Sequence, residues 1–145
     1  MINEITVTQR ASFEACYLME VSHSEGIRFH SHNYKVEVTV SGNQRMNDLG
    51  FIIEFSELKN LLISVLPDHK FLAWPDRLSN IVADKLSDQP NAFEYIDYPP
   101  TAENIISHVV QQLQIKLNKS YPGVTVVNAK LRENNDSFAE WSKGV

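Results

Sequence analysis

Tyr34-Lys35-Val36-Glu37-Val38-Thr39-Val40-Ser41 alternates without a fault. Tyr34, Val36, Val38 and Val40 fall on one face; Lys35, Glu37, Thr39 and Ser41 fall on the other. A period of two, with β-branched and aromatic residues set against polar ones, reads as a strand with one buried face. It places a strand over 32–41, and Gly42-Asn43 marks the turn after it. Residues 5–17 read the same way, with Phe13, Ala15 and Tyr17 on one face and Glu14 and Cys16 on the other. Between them, residues 18–29 carry Ser22, Ser24 and Gly26 and read as a loop.

Downstream the period changes. Phe55, Leu58, Leu61, Leu62, Val65 and Leu66 recur at helical spacing, with Ser56 as the expected cap and Pro67 as the stop. Leu78, Ile81, Val82 and Leu86 suggest a short helix over 77–86, and Pro90, Pro99 and Pro100 mark 87–100 as a loop. The spacing predicts a helix over 101–118, capped by Thr101, with Glu103 in the first turn where the helix dipole favours an acid. Ile105, Ile106, Val109, Val110, Leu113 and Leu117 make its apolar face. Pro122-Gly123 breaks the chain, 124–133 reads as a strand, and 137–142 as a short final one. Strands at both ends and helices between them predict an α+β fold. The expected form is an antiparallel four-stranded sheet with two to three helices inserted between strands 2 and 3. With no repeat and no linker-like stretch, the 145 residues are expected to form one domain over 1–145.

The formal charge is −5, and the basic residues are scattered along the sequence, which argues against broad nucleic-acid binding. Apolar runs are as short as Phe51-Ile52-Ile53, whereas a spanning helix needs roughly 20 residues, so no membrane insertion is expected. Met1-Ile2-Asn3-Glu4 lacks the basic and apolar regions of a signal peptide, and Cys16 has no partner for an intrachain disulfide. A cytoplasmic location is the resulting expectation.

Three places carry candidate chemistry. In His30-Ser31-His32 the two imidazoles of an extended chain share one side, roughly 6.5–7 Å apart, and can converge on a metal ion; two surface histidines at a strand mouth would look the same. In Asp68-His69 a carboxylate beside an imidazole can orient it as a general acid or base, or can be the solvated end of a helix. Glu133 closes the strand over 124–133 and can accept two parallel hydrogen bonds from an aminopyrimidine-like ring edge, or simply face water. Gly50-Phe51-Ile52-Ile53-Glu54-Phe55 and Pro100-Thr101-Ala102-Glu103-Asn104 read as structural, and Cys16 as a packed thiol.

Taken in order, Phe13-Glu14-Ala15, His30-Ser31-His32-Asn33-Tyr34, Gly50-Phe51-Ile52-Ile53-Glu54-Phe55-Ser56-Glu57-Leu58-Lys59, Asp68-His69-Lys70-Phe71-Leu72, Pro100-Thr101-Ala102-Glu103-Asn104 and Lys130-Leu131-Arg132-Glu133 span nearly the whole chain. The set resembles the 6-pyruvoyl-tetrahydropterin synthase family, which includes the bacterial 6-carboxy-tetrahydropterin synthases of the queuosine pathway. The resemblance implies a tunnelling fold in which three protomers close a twelve-stranded barrel. Two barrels stack into a homo-hexamer, a dimer of trimers, with sites between subunits. It implies a lyase acting on the side chain of dihydroneopterin triphosphate, with zinc held by three histidines, a Cys base, an Asp-His relay and a Glu that anchors the pterin. The matching positions are His30 and His32 for zinc, Asp68 and His69 for the relay, and Glu133 for the pterin.

Two departures stand out. Tyr17 occupies the place of the family's first zinc histidine, and Gly26, beside Glu25, occupies that of the catalytic Cys. A variant branch of the family uses a Glu near the Cys position, which makes Glu25 a candidate base. Tyr17 or His23 are candidate third ligands, although a phenol with a pKa of about 10 is a poor one. Asn134 and Ala73 replace the usual Thr and Asn, and the connection from His69 to Thr101 is longer than in bacterial members. The departures leave two alternatives to the lyase: a non-catalytic pterin binder without the zinc and Cys chemistry, or a metal-independent, aldolase-like pterin enzyme with Glu25 or His69 as base.

Overall fold

The computed structural model describes residues 4–22, 26–43, 49–74, 84, 88 and 93–144, and of residues 19–22 and 26–30 the backbone alone. Two long strands, β1 (Glu4–Ser22) and β2 (Gly26–Asn43), form an antiparallel ribbon. The pairing runs from Glu4 opposite Asn43 to Ser22 opposite Gly26, with one irregularity between Glu20 and Ser22. The expected loop over 18–29 is therefore mostly strand. Ladder hydrogen bonds to the partner strand override the polar composition of this stretch, as sheet context commonly overrides residue preference.

Helix α1 (Phe55–Val65) follows, then the short strands β3 (Lys70–Ala73) and β4 (Glu94–Tyr95), helix α2 (Ala102–Ser120), and strands β5 (Thr125–Arg132) and β6 (Phe138–Ser142). The sheet order is β4-β3-β1-β2-β5-β6. The four long strands pair antiparallel as expected, but β3 runs parallel to β1 and β4 parallel to β3, so the sheet is mixed and six-stranded rather than four-stranded. Leu72 and Ala73 are buried, so burial as well as pairing along the edge of β1 holds β3 in place. The expected helix over 77–86 lies outside the described residues, Asp84 apart.

One face of the sheet meets the helices. Phe13, Ala15 and Tyr17 of β1, Tyr34, Val36, Val38 and Val40 of β2, and Val126, Ala129 and Leu131 of β5 are buried there. They pack with Leu58 and Leu62 of α1 and with Ile105, Ile106, Val109, Val110, Leu113 and Leu117 of α2. Thr101 caps α2, its side chain accepting from the Asn104 backbone N–H at 3.3 Å. The expected cap at Ser56 is not realised: Glu54 holds the cap position without a side-chain bond, and Ser56 lies inside α1. Phe55 is 63% exposed, outside the stripe assigned to it, because Ile52 and Ile53 fill the core at that end instead. Their segment lies so close to β2 that a Cβ on Gly42 would stand 2.7 Å from Ile52 Cγ2. Among the described residues no helix is long and apolar enough to cross a membrane.

Candidate functional site

Directly opposed residues of an antiparallel pair share a face, and the register sets Phe13 opposite Tyr34, Ala15 opposite His32, and Tyr17 opposite position 30. Aromatic groups consequently line up along the buried face. Phe13 stacks on Tyr34 at 4.9 Å, His32 meets Tyr34 edge-on at 5.5 Å, and the Tyr17 and His32 rings lie 6.1 Å apart. Glu133 enters from the turn between β5 and β6, where its backbone N–H donates to Ser137 O at 3.3 Å. Its Oε2 stands 4.0 Å from His32 Nε2, with both side chains about three-quarters buried. The backbone of His30 lies in the same face of the ribbon; its side chain is outside the described residues, as are His23 and Glu25.

Beside this pair is a cavity of about 240 Å³, lined by Tyr17, Thr101, Glu103, Glu133, Ser137 and Phe138 among others. Burial pushes the Tyr17 phenol above its ordinary value, and the Glu133 charge adds to the effect. Tyr34 is raised further, again by burial first and then by Tyr17 and Glu133. Its hydroxyl is fully buried and approaches the Tyr17 hydroxyl without reaching the geometry of a full hydrogen bond. Native proteins rarely leave a buried hydroxyl so, and such groups concentrate where a site has a use for them. The cavity thus offers two carboxylates, Glu103 and Glu133, and the protonated phenol of Tyr17, beside the ring of Phe138. That chemistry suits a flat heterocycle bearing N–H donors.

Asp68 and His69 form a second cluster. His69 Nδ1 lies 3.0 Å from Asp68 Oδ2, and His69 Nε2 lies 3.7 Å from Glu14 Oε2. Asp68 Oδ1 also accepts the Glu14 backbone N–H at 3.0 Å, and the His69 N–H donates to Glu14 O at 2.6 Å. His69 sits at φ 57, the left-handed region, which side chains seldom adopt. The Glu14 N–H is the main reason the Asp68 carboxyl is held below its ordinary value, with the His69 contact adding to it. Strand alternation turns Glu14 to the face opposite Ala15 and Tyr17. The Asp68-His69 pair and the His32–Glu133 pair therefore lie on opposite sides of β1. Cys16 alternates onto the Glu14 side, and burial raises its thiol.

The donor set bears on zinc. Among the described residues no three His, Cys, Asp or Glu side chains gather to hold a metal ion. The third place beside positions 30 and 32 belongs to a phenol kept protonated by burial. A neutral phenol does not complete a three-ligand zinc set with positions 30 and 32, so a zinc centre there needs another third ligand; His23, the other candidate, lies outside the described residues. Sequence reasoning missed Glu103, Tyr34 and Glu14 as parts of the two clusters. Thr101-Ala102-Glu103 reads as a helix start, and only the position of that start against the β5–β6 turn shows that it also lines the cavity.

Comparison with known proteins agrees with this architecture. Residues 6–143 match the model of the family described as 6-pyruvoyl tetrahydropterin synthase. The 6-carboxy-5,6,7,8-tetrahydropterin synthase of Rickettsia conorii is 27% identical, over 94% of this chain and 99% of its own. A putative enzyme of the same name from Archaeoglobus fulgidus is 28% identical over 97% of each. Among solved structures, an uncharacterised protein from Wolinella succinogenes superimposes with a TM-score of 0.73 at 20% identity, covering 98% of this chain and 99% of that one. The 6-pyruvoyl tetrahydropterin synthase of Plasmodium vivax gives 0.71 at 17% identity over 99% of both. The two structures share the fold, and the match across nearly the full length places the chain in the 6-pyruvoyl tetrahydropterin synthase family.

Proposed function

We propose that the protein is a lyase of the 6-pyruvoyl/6-carboxy-tetrahydropterin synthase type that acts on the side chain of dihydroneopterin triphosphate. One observation carries this reading: Glu133 Oε2 and His32 Nε2 lie 4.0 Å apart beside a cavity of about 240 Å³. Glu133 would anchor the pterin edge with its two acceptor oxygens, and Glu103 would stand ready for a further N–H donor. Asp68 would fix the His69 ring through Nδ1, leaving Nε2 to exchange a proton with substrate. Because these two groups face opposite sides of β1, a complete site needs the Asp68-His69 pair of a neighbouring copy, in keeping with a homo-hexamer built as a dimer of trimers. Glu25 would take the part of the missing Cys; in the Plasmodium vivax 6-pyruvoyltetrahydropterin synthase a glutamate is a catalytic residue. No step is assigned to zinc, because Tyr17 is a poor third ligand beside His32.

Tyr17 also favours a second reading, a relative that binds a pterin without turning it over. Incubation with dihydroneopterin triphosphate, with and without added zinc, followed by mass analysis, separates the two. A shortened side chain formed in either condition supports the lyase, and its formation without zinc supports the donor-set argument. Intact ligand co-eluting with the protein supports the binder. Absence of both product and bound ligand refutes the pterin assignment.

A further inference from the structure

The sheet face that the helices leave uncovered has a charge pattern that the sequence hides. Arg10, Lys35, Lys130 and Arg132 are far apart along the chain, yet the register gathers them. Arg10 lies opposite Glu37, Glu37 opposite Lys130, and Lys35 opposite Arg132. Together with Asn135 they line a cavity of about 310 Å³, in which four cations face one carboxylate. That carboxylate, Glu37, is held by Arg10 at 2.7 Å. Glu140, opposite Lys130 on the other side, accepts from Asn128 Nδ2 at 2.8 Å. Among the described residues Lys35, Lys130 and Arg132 have no carboxylate within ion-pair distance. Like charges set directly opposite across two strands destabilise a sheet, so the Lys35–Arg132 pair opposes folding unless something occupies the space between them. Arg132 is also oriented: its guanidinium carbon lies 4.6 Å from the Phe138 ring centre, and Lys130 Nζ lies 5.8 Å from the same centre. A fork held flat against a ring is suited to grip phosphate oxygens in pairs.

We propose that Lys35, Lys130 and Arg132 form a binding site for a condensed phosphate of the di- or triphosphate class. The site rests on charge and register alone, and it holds whether or not the cavity beside Glu133 takes a pterin. Phe138 lines the cavity beside Glu133 and packs against Arg132 and Lys130 of the basic one, so the phosphate chain can be either the tail of a larger ligand or a free inorganic ion.

The test is calorimetric titration of the whole protein with inorganic triphosphate and, separately, with dihydroneopterin triphosphate. Both are repeated on Lys35→Gln/Arg132→Gln, with Glu133→Gln as a second variant. Saturable binding of the inorganic ion that weakens with added salt, falls at least tenfold in the double variant and persists in Glu133→Gln supports a site for free triphosphate. A tenfold loss in the double variant for the pterin triphosphate alone supports a site for the esterified chain. Equal affinities in parent and double variant, or no saturable binding of either ligand, overturn the proposal. Lys35→Gln alone supplies a check independent of ligand: relief of the cation pair should raise its urea midpoint, and a lowered midpoint counts against the opposed charges.

Discussion

Replacing Tyr34 by Phe removes one atom from the most enclosed part of the candidate site, and the structure fixes the sign of the effect. The ring can stay where it is, stacked on Phe13 at 4.9 Å and edge-on to His32 at 5.5 Å, so packing is kept. What is lost is a fully buried hydroxyl that makes no full hydrogen bond. An unsatisfied buried polar group costs about 1–3 kcal/mol of desolvation. Its removal gives that back, less the small dispersion contribution of one oxygen. A net gain of about 1 kcal/mol is therefore expected, equivalent to a rise in Tm of about 2–4 °C for a domain near this size. Urea unfolding measures it directly, since a shift in midpoint at unchanged slope reports stability alone. A destabilisation greater than about 1 kcal/mol would show that the hydroxyl is bonded in the free protein, and the reasoning would fail.

Other expectations follow from the same coordinates. Glu133→Gln exchanges two acceptors for one acceptor and one donor, and should weaken pterin binding about tenfold or more by calorimetry; equal affinity removes the anchor role. His69→Ala should lower turnover about tenfold or more while leaving the assembly intact by size-exclusion chromatography; unchanged turnover removes the relay. The Asp68 carboxyl is depressed in the folded state, so its contribution is present at neutral pH and is lost as pH falls below the ordinary value of 3.8 and through the folded one. Asp68→Asn should therefore be less stable than the parent near about pH 7, and the gap should close in acid; a gap independent of pH contradicts the assignment. Gly42→Ala places a methyl 2.7 Å from Ile52 Cγ2 and should cost about 1–3 kcal/mol by chemical denaturation, whereas a neutral effect would mean that Ile52 yields freely.

Much of this architecture is legible in the sequence because it rests on long, regular signals. The alternation through Tyr34, Val36, Val38 and Val40 specifies a one-sided strand, and all four side chains are buried. Thr101 and the apolar stripe from Ile105 to Leu117 specify α2 nearly to the residue. Strands β3 and β4 escape notice because four and two residues carry no period; pairing with β1, far off in sequence, creates β3, and pairing with β3 creates β4. The same holds for function. Residue types at Glu133, His32, Asp68 and His69 suggest chemistry, but only the register shows that the first two meet and the last two stand behind β1. The basic residues look scattered because their proximity exists only across strands.

The ribbon of β1 and β2 carries the aromatic wall on its odd-numbered positions of β1 and charged groups on the even-numbered ones. A single deletion between Arg10 and Tyr17 would invert that parity, sending Tyr17 toward water and Glu14 or Cys16 into the hydrocarbon interior. Both surfaces would be ruined by one codon. Variation in this ribbon is thus confined to exchanges of one side chain for another, with length changes tolerated only where the chain leaves the ladder, and each strand behaves as a ruler whose spacing cannot be edited without rewriting both sides.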